Sequence, residues 1–220
     1  MRKISIAGSD KEIEVGKLVC LLRSYKAHAD EMMSAPSAVP EFFLKPASAI
    51  IENGGTIILP KESIDVHHEV ELAVVIGKTG RNIQRGVAME HVFGYAVLID
   101  VTARDIQAKA KKDGKPWAAA KGYDTFAPTS EIVPKEMVGD PHNLDIWLKV
   151  NGEFRQKSNT KNLLFSIGQI IEYVSGIMTL EKGDIIATGT PEGVSQIVDG
   201  DVVEAGIQKV GTIKVNVKRG

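Results

Sequence analysis

The stretch HHEVELAVVIG, residues 67–77, decides how the rest of the chain is interpreted. From Val70 to Ile76 an apolar residue occupies every second position, and this period of two predicts a half-buried strand. Glu69 and Glu71 lie two positions apart, so their carboxylates project from one face, about 6.6 Å apart along the backbone. Because like charges this close repel, the pair indicates a cation, a base or a shared proton between them. A solvated polar face on an edge strand is the alternative.

A third carboxylate follows in FGYAVLIDVTARD, residues 93–105. Asp100 ends a nearly continuous apolar run, which predicts a buried strand, and a carboxylate in that position needs a partner. Glu69, Glu71 and Asp100 on two neighbouring strands would form an oxygen-only site. Mg²⁺ or Mn²⁺ occupies such sites while keeping positions open for water or substrate.

The length and the charge balance of the chain limit what it can be. Its 220 residues provide a core for one large domain or two small ones, and no repeat or linker divides them. We therefore expect a single domain over residues 1–220, with residues 1–20 as a small strand-turn-strand lead-in. The 27 basic and 28 acidic residues nearly cancel, which argues against a nucleic-acid partner.

Cysteine usage and the absence of long apolar runs predict the compartment. Cys20 is the single cysteine and lies in an apolar run, so we expect a buried thiol in a reducing environment. No run approaches the roughly 18 apolar residues of a membrane span, and the start lacks the apolar region of a signal peptide. We expect a soluble, cytoplasmic protein with no membrane partner.

Local patterns predict an α+β fold dominated by strands, with a few short helices. Asn151-Gly152 joins two alternating stretches and predicts a β-hairpin. Thr102 as N-cap and Gly114 as terminator enclose one predicted helix. Apolar residues at helical spacing between positions 163 and 174, closed by Gly176, predict another.

His28 and Glu31 lie three residues apart in a stretch of helical propensity, which places them on one helical face. A carboxylate beside a histidine fixes the imidazole tautomer and raises its basicity, so the pair is a candidate general base. The alternative is an exposed helix with an incidental ion pair. Pro36 and Pro40 follow, and they favour a loop, so residues 25–42 resemble a lid segment.

Further positions indicate an anionic ligand. Arg104 and Gln107 begin the helix predicted after the third carboxylate, and a helix N-terminus favours anions. Lys121 stands among small and apolar residues, where a lysine can be desolvated. Thr190 belongs to the turn at 188–191, whose hydroxyls and backbone N–H groups can bind an anion. For the start of the helix, the alternative is an ordinary charged first turn. For residues 188–191, it is a plain turn without a ligand.

Four blocks of the chain, in the same order, resemble the signatures of the fumarylacetoacetate hydrolase family. Residues 67–77 resemble its H-x-E-x-E-L-x-x-V-x-G motif, and residues 117–128 are similar to its W-x-x-A-K-x-x-D-x-F-x-P loop. Residues 98–107 and 188–194 resemble the two other blocks. The length and residues 147–153 look closest to the short acylpyruvase and oxaloacetate decarboxylase members, and to related bacterial and archaeal 2-oxo-diacid isomerases.

The resemblance implies the mixed β-roll of this family, usually a homodimer, with Mg²⁺ or Mn²⁺ held by Glu69, Glu71 and Asp100. One departure is that residues 22–25 read Leu-Arg-Ser-Tyr, whereas many members have Gly-x-Asn-Tyr. The loss of the glycine and the asparagine alters the turn before the lid.

The resemblance also assigns roles to the remaining candidates. His28 and Glu31 match the water-activating dyad of the family's Y-x-x-H-x-x-E motif, and Lys121 matches a catalytic position that contacts the ligand. The residues expected to bind substrate are Arg104, Gln107 and Thr190.

The implied chemistry acts on small 2-oxo and diketo acids. Water activated by the dyad attacks the remote carbonyl of an acylpyruvate, and C–C cleavage expels pyruvate as an enolate stabilised by the metal and Lys121. Oxaloacetate would give the same metal-bound enolate by losing CO₂. One alternative is an isomerase or tautomerase of the 2-hydroxyhepta-2,4-diene-1,7-dioate type. A non-catalytic metal-binding scaffold is another, although it has no use for His28 and Glu31.

Overall fold

The computed structural model describes residues 2–27 and 38–220, and its larger sheet has six strands. The order across this sheet is β12 (Val133–Pro134), β9 (Val92–Ile99), β8 (Val70–Ile76), β15 (Ile185–Ala187), β3 (Leu18–Leu22) and β4 (Glu41–Lys45). β15 pairs in parallel with β3 and antiparallel with β8, so the sheet is mixed.

A second, five-stranded sheet lies beside the first. Its order is β14 (Glu153–Asn159), β13 (Asp145–Val150), β16 (Val202–Ile207), β17 (Gly211–Arg219) and β6 (Thr56–Leu59). The predicted hairpin between β13 and β14 is confirmed. Asn151 and Gly152 have φ of 52° and 85°, the left-handed values that a two-residue type I′ turn requires at both positions.

Shorter elements complete the described chain. The paired short strands are β1 (Lys3–Ser5) with β2 (Glu12–Glu14), β5 (Ile50–Ile51) with β11 (Ala127–Pro128), and β7 (Val66–His67) with β10 (Thr102–Ala103). The α-helices are α1 (Arg104–Lys112), α2 (Ala118–Lys121), α3 (Lys135–Val138) and α4 (Ile167–Ile177). The 3₁₀ helices are Ala47–Ala49, Arg85–His91 and Thr160–Asn162. The predicted strand-dominated α+β class is confirmed. None of the described helices combines the length and the apolar character that a membrane crossing needs.

The core has two parts, one on each face of β8. Leu72 and Val74 join the larger part, which also holds Ile146 of β13 and so ties the two sheets together. Ala73 and Val75 join the smaller part on the opposite face. Every residue of β8 is therefore buried, and the predicted half-buried strand is wrong in that respect. A strand with neighbours on both edges and core on both faces has no solvent side.

Two predicted helix ends are also wrong. Thr102 lies in β10, and its hydroxyl donates to the carbonyl of Asp100 (3.2 Å). The N-cap position of α1 belongs to Ala103, so the helix begins without a side-chain cap. Gly176 lies inside α4, which ends at Ile177. The apolar face of α4 packs on the core through its last turn, and this packing outweighs the preference of glycine for a helix terminus.

Candidate active site

Three carboxylates converge where β8 begins and β9 ends. The Asp100 backbone N–H donates to the Glu69 carbonyl (2.8 Å), which brings the two strand ends together. One carboxylate oxygen from each of Glu69, Glu71 and Asp100 lies within 4.8 Å of the others. All three side chains are buried. The structure thus brings together the three residues that the sequence selects as metal ligands.

Three cationic side chains surround this acidic cluster. Lys121 donates to Glu69 (2.9 Å) and to Asp100 (2.6 Å), and Arg104 contacts the other oxygen of Glu69. Lys45 donates to the second oxygen of Asp100 (2.5 Å). Glu69 and Asp100 therefore each have two cationic partners.

Lys45 was missed by the sequence analysis, because a lysine before a proline at the end of an edge strand resembles any solvated strand end. Its strand β4 is separated from β9 by three other strands of the sheet. The contact of Lys45 with Asp100 shows that the sheet curls into a roll, which brings its edge strand back over the acidic cluster.

Glu71 differs from its two neighbours because, among the described residues, no cationic side chain contacts it. Its carboxylate accepts a hydrogen bond from the Gly189 backbone N–H (2.7 Å). Burial, and then the charges of Asp100 and Glu69, raise the pKa of Glu71 well above its usual value. For Lys121, burial alone would lower the pKa, but the Asp100 and Glu69 carboxylates outweigh it and raise the pKa.

The acidic cluster fits a hard divalent cation. Three carboxylates offer only oxygen ligands, and they leave coordination positions for water or a chelating ligand. Oxygens on opposite sides of Mg²⁺ are about 4.2 Å apart, since each Mg–O distance is about 2.1 Å. The 4.8 Å limit of the cluster is therefore within a small side-chain adjustment of that geometry.

The predicted substrate-binding residues lie around the acidic cluster and are held in defined orientations. Gln107 accepts from the Arg104 guanidinium (3.0 Å), which leaves its amide N–H groups as donors. Thr190 directly follows Gly189 and accepts from the side-chain amide of Gln156 (2.8 Å). Both side chains are buried.

A buried polar network behind Glu69 was also missed. The two ring nitrogens of His68 lie 3.0 Å from the Gln156 side-chain oxygen and 2.9 Å from the Ser195 hydroxyl. Burial, opposed by the Gln156 hydrogen bond, lowers the pKa of His68 to about 4. Gln156 is the one buried residue of β14, and no sequence pattern distinguishes it from the exposed polar residues beside it.

Tyr25 is 1% exposed, and its hydroxyl has no hydrogen-bond partner within the described part of the chain. Burial, and then the charges of Glu71 and Glu192, raise the pKa of this hydroxyl above its usual value.

His28 and Glu31 lie outside the described residues, so the dyad stays a prediction. Cys20 is buried as predicted, and burial raises the pKa of its thiol, which keeps it protonated.

Comparison with known proteins gives one match that includes all the residues of the acidic cluster and its cationic partners. The family model described as fumarylacetoacetate (FAA) hydrolase C-terminal matches residues 17–218. Oxaloacetate tautomerase FAHD1, mitochondrial, from Arabidopsis thaliana is 50% identical over 203 residues, which cover 92% of this chain and 91% of that protein.

Two similar proteins with solved structures are named as enzymes. Fumarylpyruvate hydrolase from Pseudomonas aeruginosa, in complex with Mn²⁺ and pyruvate, is 37% identical with a TM-score of 0.95, covering 100% of this chain and 96% of that one. The 5-carboxymethyl-2-hydroxymuconate delta-isomerase from Mycobacterium smegmatis is 41% identical with a TM-score of 0.85, covering 94% of this chain and 80% of that one.

Proposed function

Because the chain belongs to the fumarylacetoacetate hydrolase family, we propose that it is a divalent-metal-dependent enzyme acting on small 2-oxo acids. The observation that carries the proposal is the buried acidic cluster of Glu69, Glu71 and Asp100 with the ammonium group of Lys121 against it. The relative from Pseudomonas binds Mn²⁺ and pyruvate, and pyruvate is itself a 2-oxo acid. Hydrolysis of acylpyruvates and decarboxylation of oxaloacetate both release pyruvate, and these are the reactions we propose first.

The side chains of the site bind the oxo acid and stabilise its enolate. When bound to the cluster, the divalent cation supplies positive charge that favours the enolate form of the ligand. Lys121 has three N–H donors, of which Glu69 and Asp100 accept two. The third is available to the oxygen on which negative charge develops, in a buried environment where such stabilisation is strong. Gln107 and Thr190 donate to the carboxylate.

The predicted dyad His28 and Glu31 supplies the proton transfers in this proposal. In acylpyruvate hydrolysis the dyad takes a proton from water, the hydroxide adds to the remote carbonyl, and the C–C bond breaks. The products are a carboxylic acid and the enolate of pyruvate, which then takes up one proton. Oxaloacetate loses CO₂ to give the same enolate, and that reaction does not consume water.

Tautomerisation of oxaloacetate is the second candidate function. The observation that favours it is the relative named as an oxaloacetate tautomerase, which is more similar in sequence (50%) than the fumarylpyruvate hydrolase (37%). Tautomerisation moves one proton between carbon and oxygen, and it uses the same enolate stabilisation by Lys121. The isomerase from Mycobacterium smegmatis extends this possibility to dienedioate substrates. A non-catalytic scaffold is disfavoured, since metal binding alone gives no reason to bury Lys121 in the cluster.

A substrate panel tests the proposal and ranks the reactions. Acetylpyruvate, fumarylpyruvate, oxaloacetate and a 2-hydroxydienedioate are assayed with Mg²⁺, with Mn²⁺ and with EDTA, for the native chain and for His28→Ala. We expect metal-dependent turnover, and we expect His28→Ala to abolish acylpyruvate hydrolysis while metal affinity stays near that of the native chain. No turnover of any substrate, or turnover unaffected by EDTA, would contradict the proposed function. Unchanged hydrolysis in His28→Ala would remove the dyad from it.

The choice between Mg²⁺ and Mn²⁺, the homodimer and the cytoplasmic location are further parts of the proposal. Calorimetric titration with each ion measures the metal preference, and light scattering measures the mass in solution. The homodimer is proposed because the resemblance to the family implies it. The buried free thiol of Cys20 supports a reducing compartment, whereas the Arabidopsis relative is named as mitochondrial. Fractionation of the source cells decides between cytoplasm and organelle.

A further inference from the structure

The side-chain amide of Gln156 has a single possible orientation. Its oxygen lies 3.1 Å from the backbone N–H of Val70, a group that can only donate. Its nitrogen lies 2.8 Å from the backbone carbonyl of Pro191, a group that can only accept. Exchanging the oxygen and the nitrogen would place donor against donor and acceptor against acceptor. Backbone groups that cannot adapt therefore fix this amide.

This orientation fixes the direction of two further hydrogen bonds. The amide nitrogen carries a second hydrogen, which must go to the Thr190 hydroxyl oxygen at 2.8 Å. The amide oxygen accepts from the nearest ring nitrogen of His68 at 3.0 Å, so that nitrogen carries a proton. All four hydrogen-bonding positions of the Gln156 side chain are then in use.

The Thr190 hydroxyl is left with its own proton to donate. Its oxygen already accepts from Gln156, and the described residues offer no acceptor for the proton. Thr190 is buried, and it directly follows Gly189, whose N–H holds Glu71. A donor without an acceptor thus lies beside the acidic cluster, where a bound anion would satisfy it.

We propose that Gln156 is a positioning residue that makes the Thr190 hydroxyl an obligate donor to the carboxylate of the 2-oxo acid. This inference rests on the proposed function and adds a specificity device to it. A free threonine hydroxyl can donate or accept, and it would tolerate a neutral group in the same place. With Gln156 behind it, the hydroxyl favours a group that accepts only, such as an ionised carboxylate.

The test measures pyruvate binding to the Mn²⁺-loaded protein by calorimetry, because binding does not depend on turnover. The variants are Gln156→Glu, Thr190→Val and the double substitution. Gln156→Glu keeps the shape but removes both amide donors, so Thr190 turns its proton toward residue 156 and away from pyruvate. We expect each single substitution to weaken pyruvate binding about 10-fold or more, the range for a lost hydrogen bond to a charged group.

Non-additivity distinguishes positioning from a general structural role. If Gln156 acts through Thr190, then Gln156→Glu has little further effect once Thr190 is valine, and the double variant binds pyruvate about as weakly as Thr190→Val alone. Mn²⁺ affinity should change by less than about 3-fold in every variant, since the three carboxylates are untouched. Thr160→Val is the matched control: it is a buried threonine four residues after Gln156, and its hydroxyl bonds to the backbone of Leu144 and Pro141, so the substitution should leave pyruvate affinity unchanged.

Several results would overturn the inference. Additive losses in the double variant, or a Gln156→Glu variant that binds pyruvate as the native chain does, would remove the link to Thr190. If Gln156→Glu does not fold, Gln156→Met replaces it, and the same non-additivity is required. Failure of the proposed function appears separately, as a native protein that binds pyruvate but turns over no oxo acid. A native Mn²⁺-loaded protein that does not bind pyruvate overturns both.

Discussion

At the scale of single residues, Lys121 connects the metal ligands to the chemistry. Its ammonium group bridges Glu69 and Asp100 and lies 4.9 Å from the centre of the Phe43 ring. The two carboxylates keep it charged although it is buried. A fixed positive charge in a water-poor site is the arrangement that stabilises a developing enolate.

Replacing Lys121 by methionine separates its two effects. We expect turnover of oxaloacetate to fall by about 100-fold or more, the usual cost of removing a group that stabilises developing negative charge. Mn²⁺ affinity should be unchanged or higher, because a cation that repels the metal has been removed. Steady-state kinetics and calorimetry measure the two quantities, with Lys149→Met on the second sheet as the control. A loss of metal binding equal to the loss of turnover would contradict this role.

Tyr25→Phe tests the buried hydroxyl that lacks a partner. A buried polar group without a hydrogen bond costs about 1–3 kcal/mol. We therefore expect Tyr25→Phe to have at least the native free energy of unfolding in metal-free, ligand-free solution, measured with urea. Destabilisation by more than about 1 kcal/mol would mean that the hydroxyl has a partner in the folded protein.

His68 should make stability depend on pH in a defined window. The folded state lowers its pKa from 6.5 to about 4, so between these values the unfolded state binds more protons. Stability from this residue is fully present above pH 6.5 and is lost as pH falls towards 4, by about 3 kcal/mol in total. The free energy of unfolding, measured with urea in EDTA at several pH values, should therefore depend less steeply on pH in His68→Gln than in the native chain. Parallel curves for the two proteins would show that His68 titrates normally.

At the scale of elements, the loop after β15 holds the site through its backbone. Gly189 has a φ of +93°, and a Cβ there would lie 1.7 Å from the Ser24 hydroxyl oxygen. The backbone N–H of Gly189 also donates a hydrogen bond to the Glu71 carboxylate.

Gly189→Ala should therefore affect both stability and the acidic cluster. We expect a loss of more than about 3 kcal/mol in unfolding free energy, from steric overlap and backbone strain together, and weaker Mn²⁺ binding. Gly200→Ala is the matched control, since Gly200 has a φ of +88° but open space around its Cβ. It should lose only about 1 kcal/mol, with normal Mn²⁺ affinity. Equal losses for the two variants would show that backbone strain alone matters at Gly189.

The elements also show why part of the site could be predicted from the sequence. The three metal ligands could be predicted because each is an acidic residue within or directly beside an apolar strand: Glu69 and Glu71 at the start of β8, and Asp100 at the end of β9. Adjacent strands then bring these acidic residues together. The local pattern failed for Thr102, because its hydroxyl donates to the carbonyl of Asp100, two residues earlier, and Ala103 takes the N-cap position. It failed for Gly176 because tertiary packing extends α4 past it.

Lys45 and Gln156 could not have been predicted by the same reasoning. Each sits on an edge strand of its sheet among polar or partly exposed neighbours. Their burial depends on the curl of one sheet and on the loop that carries Pro191, which are properties of the folded chain. Periodicity along a strand reports the face on which a residue lies, but it carries no information on what covers an edge.

At the scale of the whole molecule, the acidic cluster couples metal binding to folding. Mn²⁺ at 100 times its dissociation constant should add about 2.7 kcal/mol to the free energy of unfolding. Glu71→Gln should abolish most of this gain, yet be at least as stable as the native chain without metal, because it removes a buried charge that burial disfavours. Thermal unfolding with Mn²⁺ and with EDTA measures both effects. A full Mn²⁺ gain in Glu71→Gln would contradict the assignment of Glu71 as a ligand.

The position of β15 has a consequence for synthesis on the ribosome. In the sheet that the described residues form, β15 lies between β3 and β8 and joins them, and it is made more than a hundred residues after β8. Until that segment emerges, two largely apolar strands each have an open edge, and such edges attract other nascent chains. We expect the growing polypeptide to depend on chaperones until its last third is translated, and truncated products to aggregate.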